Sequence, residues 1–262
     1  MDNRPLVVCR IECPPRMIEG VDAWMPKHFD DSLDHDSVTA AANYRVIRDF
    51  DPSTGLPWVL NGHGNRFIVY AAASSSGLID WLDSPMIRGA IEDGAEREGQ
   101  YPALDGDDGH MTGNIYEVRE VVRPIGKEFE DMSSVFVERF DVDHERESKF
   151  VSWLEGEHLA ALSSLSEVAR VRTFRQKSDV PRRFPYDRYC SKGNYMIMAD
   201  IPRQIDLRSF ARMPEFLALL QNSSTWDLEL SYVRRELATC AVTRNRDDAR
   251  LTYLERHETA AG

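Results

Sequence analysis

Two Gly-Asn pairs, Gly64-Asn65 and Gly193-Asn194, stand 129 positions apart, and each opens a short, mostly apolar run. The runs themselves, RFIVYAA (66–72) and YMIMADI (195–201), align at the same offset. His28 and His158 are separated by 130 residues. Both halves close on a segment that carries Tyr, Val, Arg and Glu, at Tyr116 to Glu120 and Tyr232 to Glu236. Landmarks at nearly one offset point to a single supersecondary unit used twice. A chain of 262 residues has room for two such units, each large enough to bury a core.

Hydrophobic periodicity gives the contents of the unit. In the first half, strands are predicted at 6–13, 38–50, 66–73 and 114–122, with helices at 17–33 and 77–98. Ile18, Val21, Trp24, Met25, Phe29 and Leu33 recur every three or four residues, while Pro26 predicts a kink or break in that helix. Pro85 predicts a second break, between two short helices. In the second half, strands are predicted at 134–142, 167–176, 195–201 and 226–242, with helices at 144–165 and 207–221. The order βαββαβ runs twice, as residues 1–123 and 134–242, with a polar linker between them and a polar tail over 243–262.

That order is the ferredoxin-like motif, an antiparallel sheet with its helices on one face, and the fold class is α+β. A sheet open to water on its other face would alternate apolar with polar residues. RFIVYAAA and YMIMA do not alternate. The two bare sheet faces are therefore expected to pack on each other, making a closed or nearly closed barrel with the helices outside.

Charge narrows the partners. A net charge of −12 disfavours nucleic acid and anionic membrane surfaces, both of which need basic patches. No run of 18 apolar residues is present, and the first residues read as a strand and not as a signal peptide. Cys9 and Cys13 would share a strand face too far apart to bridge, and no cysteine pair has zinc spacing. A cytoplasmic protein with reduced thiols is expected.

The first helix of each half carries the chemistry-bearing residues: WMPKHFDDSL in one, FVSWLEGEHLAALSSL in the other. An aromatic residue followed by "EH" near the end of that helix, in a duplicated βαββαβ chain, resembles the dimeric α/β barrel superfamily, here with both halves fused over roughly residues 5–242. Pro26-Lys27 replaces the acidic pair ahead of His28, a departure from the pattern. Proteins of that superfamily include cofactor-free polyketide cyclases, muconolactone isomerases and antibiotic-biosynthesis monooxygenases. Haem enzymes such as chlorite dismutases and dye-decolorising peroxidases share the fold. The resemblance implies a pocket between the sheet and helices of one unit, with His28 or His158 pointing into it.

A histidine there suits acid/base work, because its ordinary pKa lets it take and return a proton near neutrality. Asp31, three residues after His28, and Glu155, three before His158, are spaced to orient the rings. Either histidine can equally be a structural residue fixing its helix. Tyr44, in a strand, is a second candidate for catalysis, and Trp24, Trp153, Tyr70, Tyr116 and Arg172 are candidates for substrate binding. HFDDSLDHD (28–36) has metal-binding residue types but no partner cluster, so no metal is expected. NGHGN (61–65) brings His63 to the start of a strand, as a turn or a lid. SSSG (74–77) reads as a helix N-cap. Nucleotide-binding and hydrolase motifs are absent.

The expected function is a cofactor-independent lyase, isomerase or cyclase acting on a small apolar or aromatic metabolite, with one half active. The alternatives are a haem enzyme with His158 as axial ligand, and a small-molecule-binding module without chemistry. A homodimer is the expected assembly.

Overall fold

The computed structural model describes residues 4–12, 18–46, 66–89, 110–122, 134–180, 193–202, 204–223, 226, 228–235, 243–244 and 251–252. In the first half, β1 (Leu6–Glu12), β2 (Val38–Val46), β3 (Arg66–Ala72) and β4 (His110–Val122) form a sheet in the order β2-β3-β1-β4. In the second, β5 (Ser134–Phe140), β6 (Arg170–Gln176), β7 (Tyr195–Ile201) and β8 (Leu228–Arg235) repeat that order as β6-β7-β5-β8. Two antiparallel seams join the halves, β4 to β6 and β2 to β8. The sheet therefore closes into a ring of eight antiparallel strands, which leaves neither half with a bare edge at these seams.

The register explains why β3 and β7 do not alternate. Tyr70 meets rings from two helices, so positions 68 and 70 of β3 face outward and 67, 69 and 71 face the barrel interior. Both faces are covered, and every residue of β3 and β7 is buried. One core cluster runs across the interior from Phe67 and Val69 to Val137, Phe174, Met196 and Met198. A second fills the layer between the second sheet and its helices, around Phe136, Phe140, Phe150 and Ile197.

The helices follow their apolar spacing, with three departures from the sequence reading. Helix α1 (Ile18–Leu33) runs unbroken through Pro26. A proline forfeits one backbone bond, and the buried row Met25, Phe29 and Leu33 keeps the helix on the sheet. Helix α2 (Ser75–Leu82) begins two residues early because the Ser74 hydroxyl accepts from the Gly77 N–H at 3.1 Å, which is the predicted N-cap. A turn follows, and a helical stretch resumes over 85–89 at Pro85, as predicted. The helix predicted over 207–221 is two pieces, Leu207–Phe210 and Pro214–Ser223. Pro214 starts the second piece, where its missing N–H costs nothing.

The second first-helix is a composite. A short 3₁₀ turn at His144–Arg146 leads into α-helix Glu147–Trp153, a π-helical segment Leu154–His158, and α-helix Leu159–Ser164. Beyond β8, residues Thr243–Arg244 and Leu251–Thr252 pair as short strands next to β2, where a polar tail was expected.

The Gly-Asn landmark has a structural reason. Gly193 has φ 98°, and a Cβ there would lie 2.9 Å from Arg139 Nη2. Its carbonyl accepts from Tyr116 Oη at 2.7 Å and Asn114 Nδ2 at 3.2 Å, tying the two halves together inside the barrel. Asn194 clamps the end of β5 through both backbone groups of Val142, at 2.9 and 2.7 Å. Gly64-Asn65 lies outside the described residues.

Candidate active site

Both first-helix histidines lie under a tryptophan. Trp24 stacks on His28 with ring centroids 4.1 Å apart, and Trp153 stacks on His158 at 4.6 Å. In α1 the pair is spaced four residues, the ordinary α-helical neighbour distance. In the second half the spacing is five. The extra residue is absorbed by the π segment Leu154–His158, whose wider turn brings residue i+5 to where i+4 sits in an α-helix. EGEH is thus an α1-like site with one residue inserted. The insertion accounts for the 130-residue offset between the histidines beside the 129 of other landmarks.

The surroundings of the two rings differ. His158 is buried, 3% exposed, and both ring nitrogens face protein partners. Nε2 lies 2.6 Å from Oε2 of Glu138, itself fully buried on β5, and Nδ1 lies 3.4 Å from the Ser223 hydroxyl. Phe140 meets the ring edge-on at 6.4 Å. Outside Trp153 an open cleft of about 420 Å³ is lined by Arg146, Lys149, Ser152, Trp153, Glu157 and Trp226. Trp153 lies between that cleft and the imidazole. Glu155, expected to orient His158, turns outward to Arg119 at 2.7 Å, and the orienting carboxylate is Glu138 from the sheet.

His28 has neither kind of partner. Its Nδ1 is sealed from solvent and bonded to nothing among the described residues, while the residue as a whole keeps part of its surface exposed. Tyr70 meets it edge-on at 5.8 Å and Phe29 lies at 6.4 Å. Burial lowers its pKa from 6.5 to about 4; Asp31 offsets part of this and Lys27 adds to it. Asp31 does not bond His28 but pairs with Lys27 one turn back. Burial pushes the Tyr70 phenol well above its ordinary range, and Cys9 adds to the shift.

Strand register shows what changed between the halves. Cys9 pairs with Ile68 as Glu138 pairs with Ile197, with both strands at the 129 offset. Cys9, a buried cysteine, therefore holds the place of Glu138. Pro85 and Pro214 open corresponding helical stretches at the same offset, which aligns Ser223 with Gly94, a residue outside the described ones. At the strand position whose carboxyl group meets His158, the first half has a cysteine, which cannot accept as a carboxylate does.

The remaining candidates lie elsewhere. Tyr44 faces the barrel interior against Phe67, on the opposite side of the sheet from His28, so the two do not meet. Tyr116 is also interior, giving its hydroxyl hydrogen to Gly193 and accepting from Arg139 Nε at 3.2 Å. Arg172 is buried on Asp200 at 2.8 Å, with Arg170 on the same carboxylate. These three hold the barrel together. Trp24 and Tyr70 are the candidates placed against His28, and Trp153 is the one placed against His158. His63 lies outside the described residues. Glu138 and Ser223 were not singled out from sequence, and Cys9 was read only as a strand cysteine too far from Cys13 to bridge. Glu138 carried a signal, being one of two charges in the otherwise uncharged, mostly apolar SVFVERF. Among the described residues no group of three or more His, Cys, Asp or Glu is placed to hold a metal ion, and no helix is long and apolar enough to cross a membrane.

No family model matches this chain, and no curated protein matches it. Solved structures do. An anthrone oxidase-like protein superposes with TM-score 0.62 at 10% identity, over 97% of this chain and 98% of its own. A candidate monooxygenase from Fusobacterium nucleatum superposes with TM-score 0.54 at 9% identity, over 90% and 94%. At such identities the likeness is one of fold. The chain has the ferredoxin-like, dimeric α/β barrel fold of these proteins, with both halves in one polypeptide.

Proposed function

We propose that this chain is an enzyme that works without a cofactor, using His28 to move a proton on a small apolar or aromatic molecule, in lyase, isomerase or cyclase chemistry. The observation that carries this reading is the buried, unpartnered Nδ1 of His28 between Trp24 and Tyr70. With its pKa near 4 the imidazole is neutral at pH 7 and ready to accept a proton. Tyr70, held protonated, is the complementary hydrogen-bond donor. Two neighbouring groups pushed in opposite directions are the usual arrangement for acid and base roles. The carbon acid's C–H bond breaks as an N–H bond forms on His28. The Tyr70 phenol would stabilise the negative charge on the substrate oxygen, and His28 returns the proton to another atom. The fold shared with an anthrone oxidase-like protein and a candidate monooxygenase supports an enzyme over a scaffold.

The haem reading does not fit His158, the ligand it requires. Nε2 faces Glu138, Nδ1 faces Ser223, and Trp153 covers the ring, so no nitrogen is left for iron. A Soret band in the purified protein would reopen it. The proposal is tested by incubating the protein in D2O with a panel of phenolic ketones and lactones and following carbon-bound protons by NMR. Wild type and H158Q exchange, and H28Q loses about 100-fold or more. Equal exchange in H28Q removes His28 from the chemistry. Saturable binding without exchange would leave a ligand-binding module.

A further inference from the structure

We propose that the cleft outside Trp153 is a ligand site in its own right, and that it takes a one- or two-ring aromatic carboxylate, with the acid group on Arg146 and Lys149 and the ring against Trp153 and Trp226. The cleft belongs to the second half, whereas His28 belongs to the first, and its case does not depend on the chemistry proposed there. Its volume of about 420 Å³ falls within the roughly 300–1,000 Å³ of small-molecule sites. One wall is aromatic and already in place. Trp226 is buried, its ring edge-on to Phe150 at 5.0 Å and 5.6 Å from Trp153, and its backbone N–H donates to the Ser223 carbonyl at 3.0 Å. Trp153 is held from behind by the stacked His158 ring. Rings fixed before a ligand arrives lose little freedom when it binds.

The charges set the sign of the ligand. Arg119, Arg170, Arg172, Arg175 and Lys177 each meet a carboxylate. Arg146 and Lys149 are exposed and meet none among the described residues. Glu147, which lies between them in sequence, is taken by Tyr195 at 2.6 Å and Arg175 at 2.5 Å. Glu157, the acid of the lining, pairs with neither cation. The cleft thus sets two cations against one anion, in a chain whose net charge is −12. Packing accounts for Arg146, whose guanidinium lies over the Trp226 ring, 4.6 Å from its centroid. It does not account for Lys149 in the same lining, and a stacked guanidinium keeps its in-plane N–H groups for a planar anion. A bare anion would leave the indole wall wet, and a neutral arene would leave the cations without a partner. An aromatic acid answers both.

The test reads indole N–H signals by NMR. In protein isotopically labelled at tryptophan, the signals of Trp24, Trp153 and Trp226 are identified through Trp24→Phe, Trp153→Phe and Trp226→Phe, and the wild type is titrated with 2-naphthoate, 2-naphthamide and acetate. 2-Naphthoate should shift Trp153 and Trp226 saturably and leave Trp24 still. The amide, which lacks the charge, and acetate, which lacks the ring, should each bind about tenfold or more weakly. Arg146→Gln and Lys149→Gln should each weaken 2-naphthoate about fivefold or more and leave the amide unaffected. The proposal is overturned if Trp153 and Trp226 ignore 2-naphthoate at millimolar concentration, if the amide or acetate shifts them as readily, or if both glutamine variants bind the acid as wild type does. A shift confined to Trp24 would place the acid beside His28 and overturns it equally. If Arg146→Gln does not fold, Lys149→Gln decides, since Lys149 makes no ion pair or ring contact among the described residues. No turnover enters this readout, so its failure is distinct from loss of exchange in D2O.

Discussion

Oε2 of Glu138 lies 2.6 Å from Nε2 of His158, both side chains are sealed from solvent, and the residue in the matching place under the other helix is Cys9. One half has turned its histidine into a tie between helix and sheet. The other has left its histidine without a tie. Removing the carboxyl group strands a buried imidazole, so Glu138→Ala should lower unfolding stability by about 3 kcal/mol or more in denaturant melts. Glu138→Gln keeps one hydrogen bond and should cost less. Equal melts for Glu138→Ala and wild type would show that the pair contributes nothing.

The π segment makes a prediction about length. Gly156 is exposed and its Cβ position is open, and one residue is what separates the two tryptophan–histidine spacings. Deleting Gly156 should return the segment to α-helix, keep Trp153 on His158, and change stability by only about 1 kcal/mol. Deleting Ala161 from the α-helix that follows should be far worse, because it turns Leu162 off the core by about 100°. Calorimetry of the two deletions separates them.

Acid should weaken the fold through His28. The unfolded chain binds a proton at this residue below pH 6.5, and the folded chain only below about 4. Between those values the unfolded state holds more protons, so stability falls as pH falls, and it is fully present above 6.5. The contribution is at most about 3 kcal/mol. His28→Phe should flatten the pH dependence of denaturant midpoints over that window, and an unchanged slope would show that His28 is not the group responsible.

Gly193→Ala should cost about 1–3 kcal/mol, since φ 98° strains any side chain and the new Cβ would press on Arg139. Because the Gly193 carbonyl also holds Tyr116 and Asn114, the loss should be larger than for Gly89→Ala, whose Cβ position is open. Thermal melts of both variants check this.

Much of the barrel was legible because its signals are local and repeated. The two-sided burial of β3 and β7 follows from runs without alternation, and the doubled landmarks imply the second unit. The proline effects were less legible: Pro26 leaves its helix whole because Met25, Phe29 and Leu33 hold it from the sheet, which is a tertiary effect. At the site, Trp24, Tyr70 and His28 were visible as residue types on predicted elements. The partner of His158 was not, because helical spacing nominated Glu155 from the same helix, whereas the carboxyl group comes from a strand 20 residues earlier. Recognising it requires the register that pairs Glu138 with Ile197 and Cys9 with Ile68.

The seam between β2 and β8 joins residues near 45 to residues near 234. Loops of that span are slow to close, because their entropy is lost before any contact repays it. The first half therefore cannot finish its sheet until almost the whole chain has been made. Until then β2 is an unpaired edge, and it is during synthesis, more than in the finished ring, that the protein is vulnerable to mispairing with a second copy of itself.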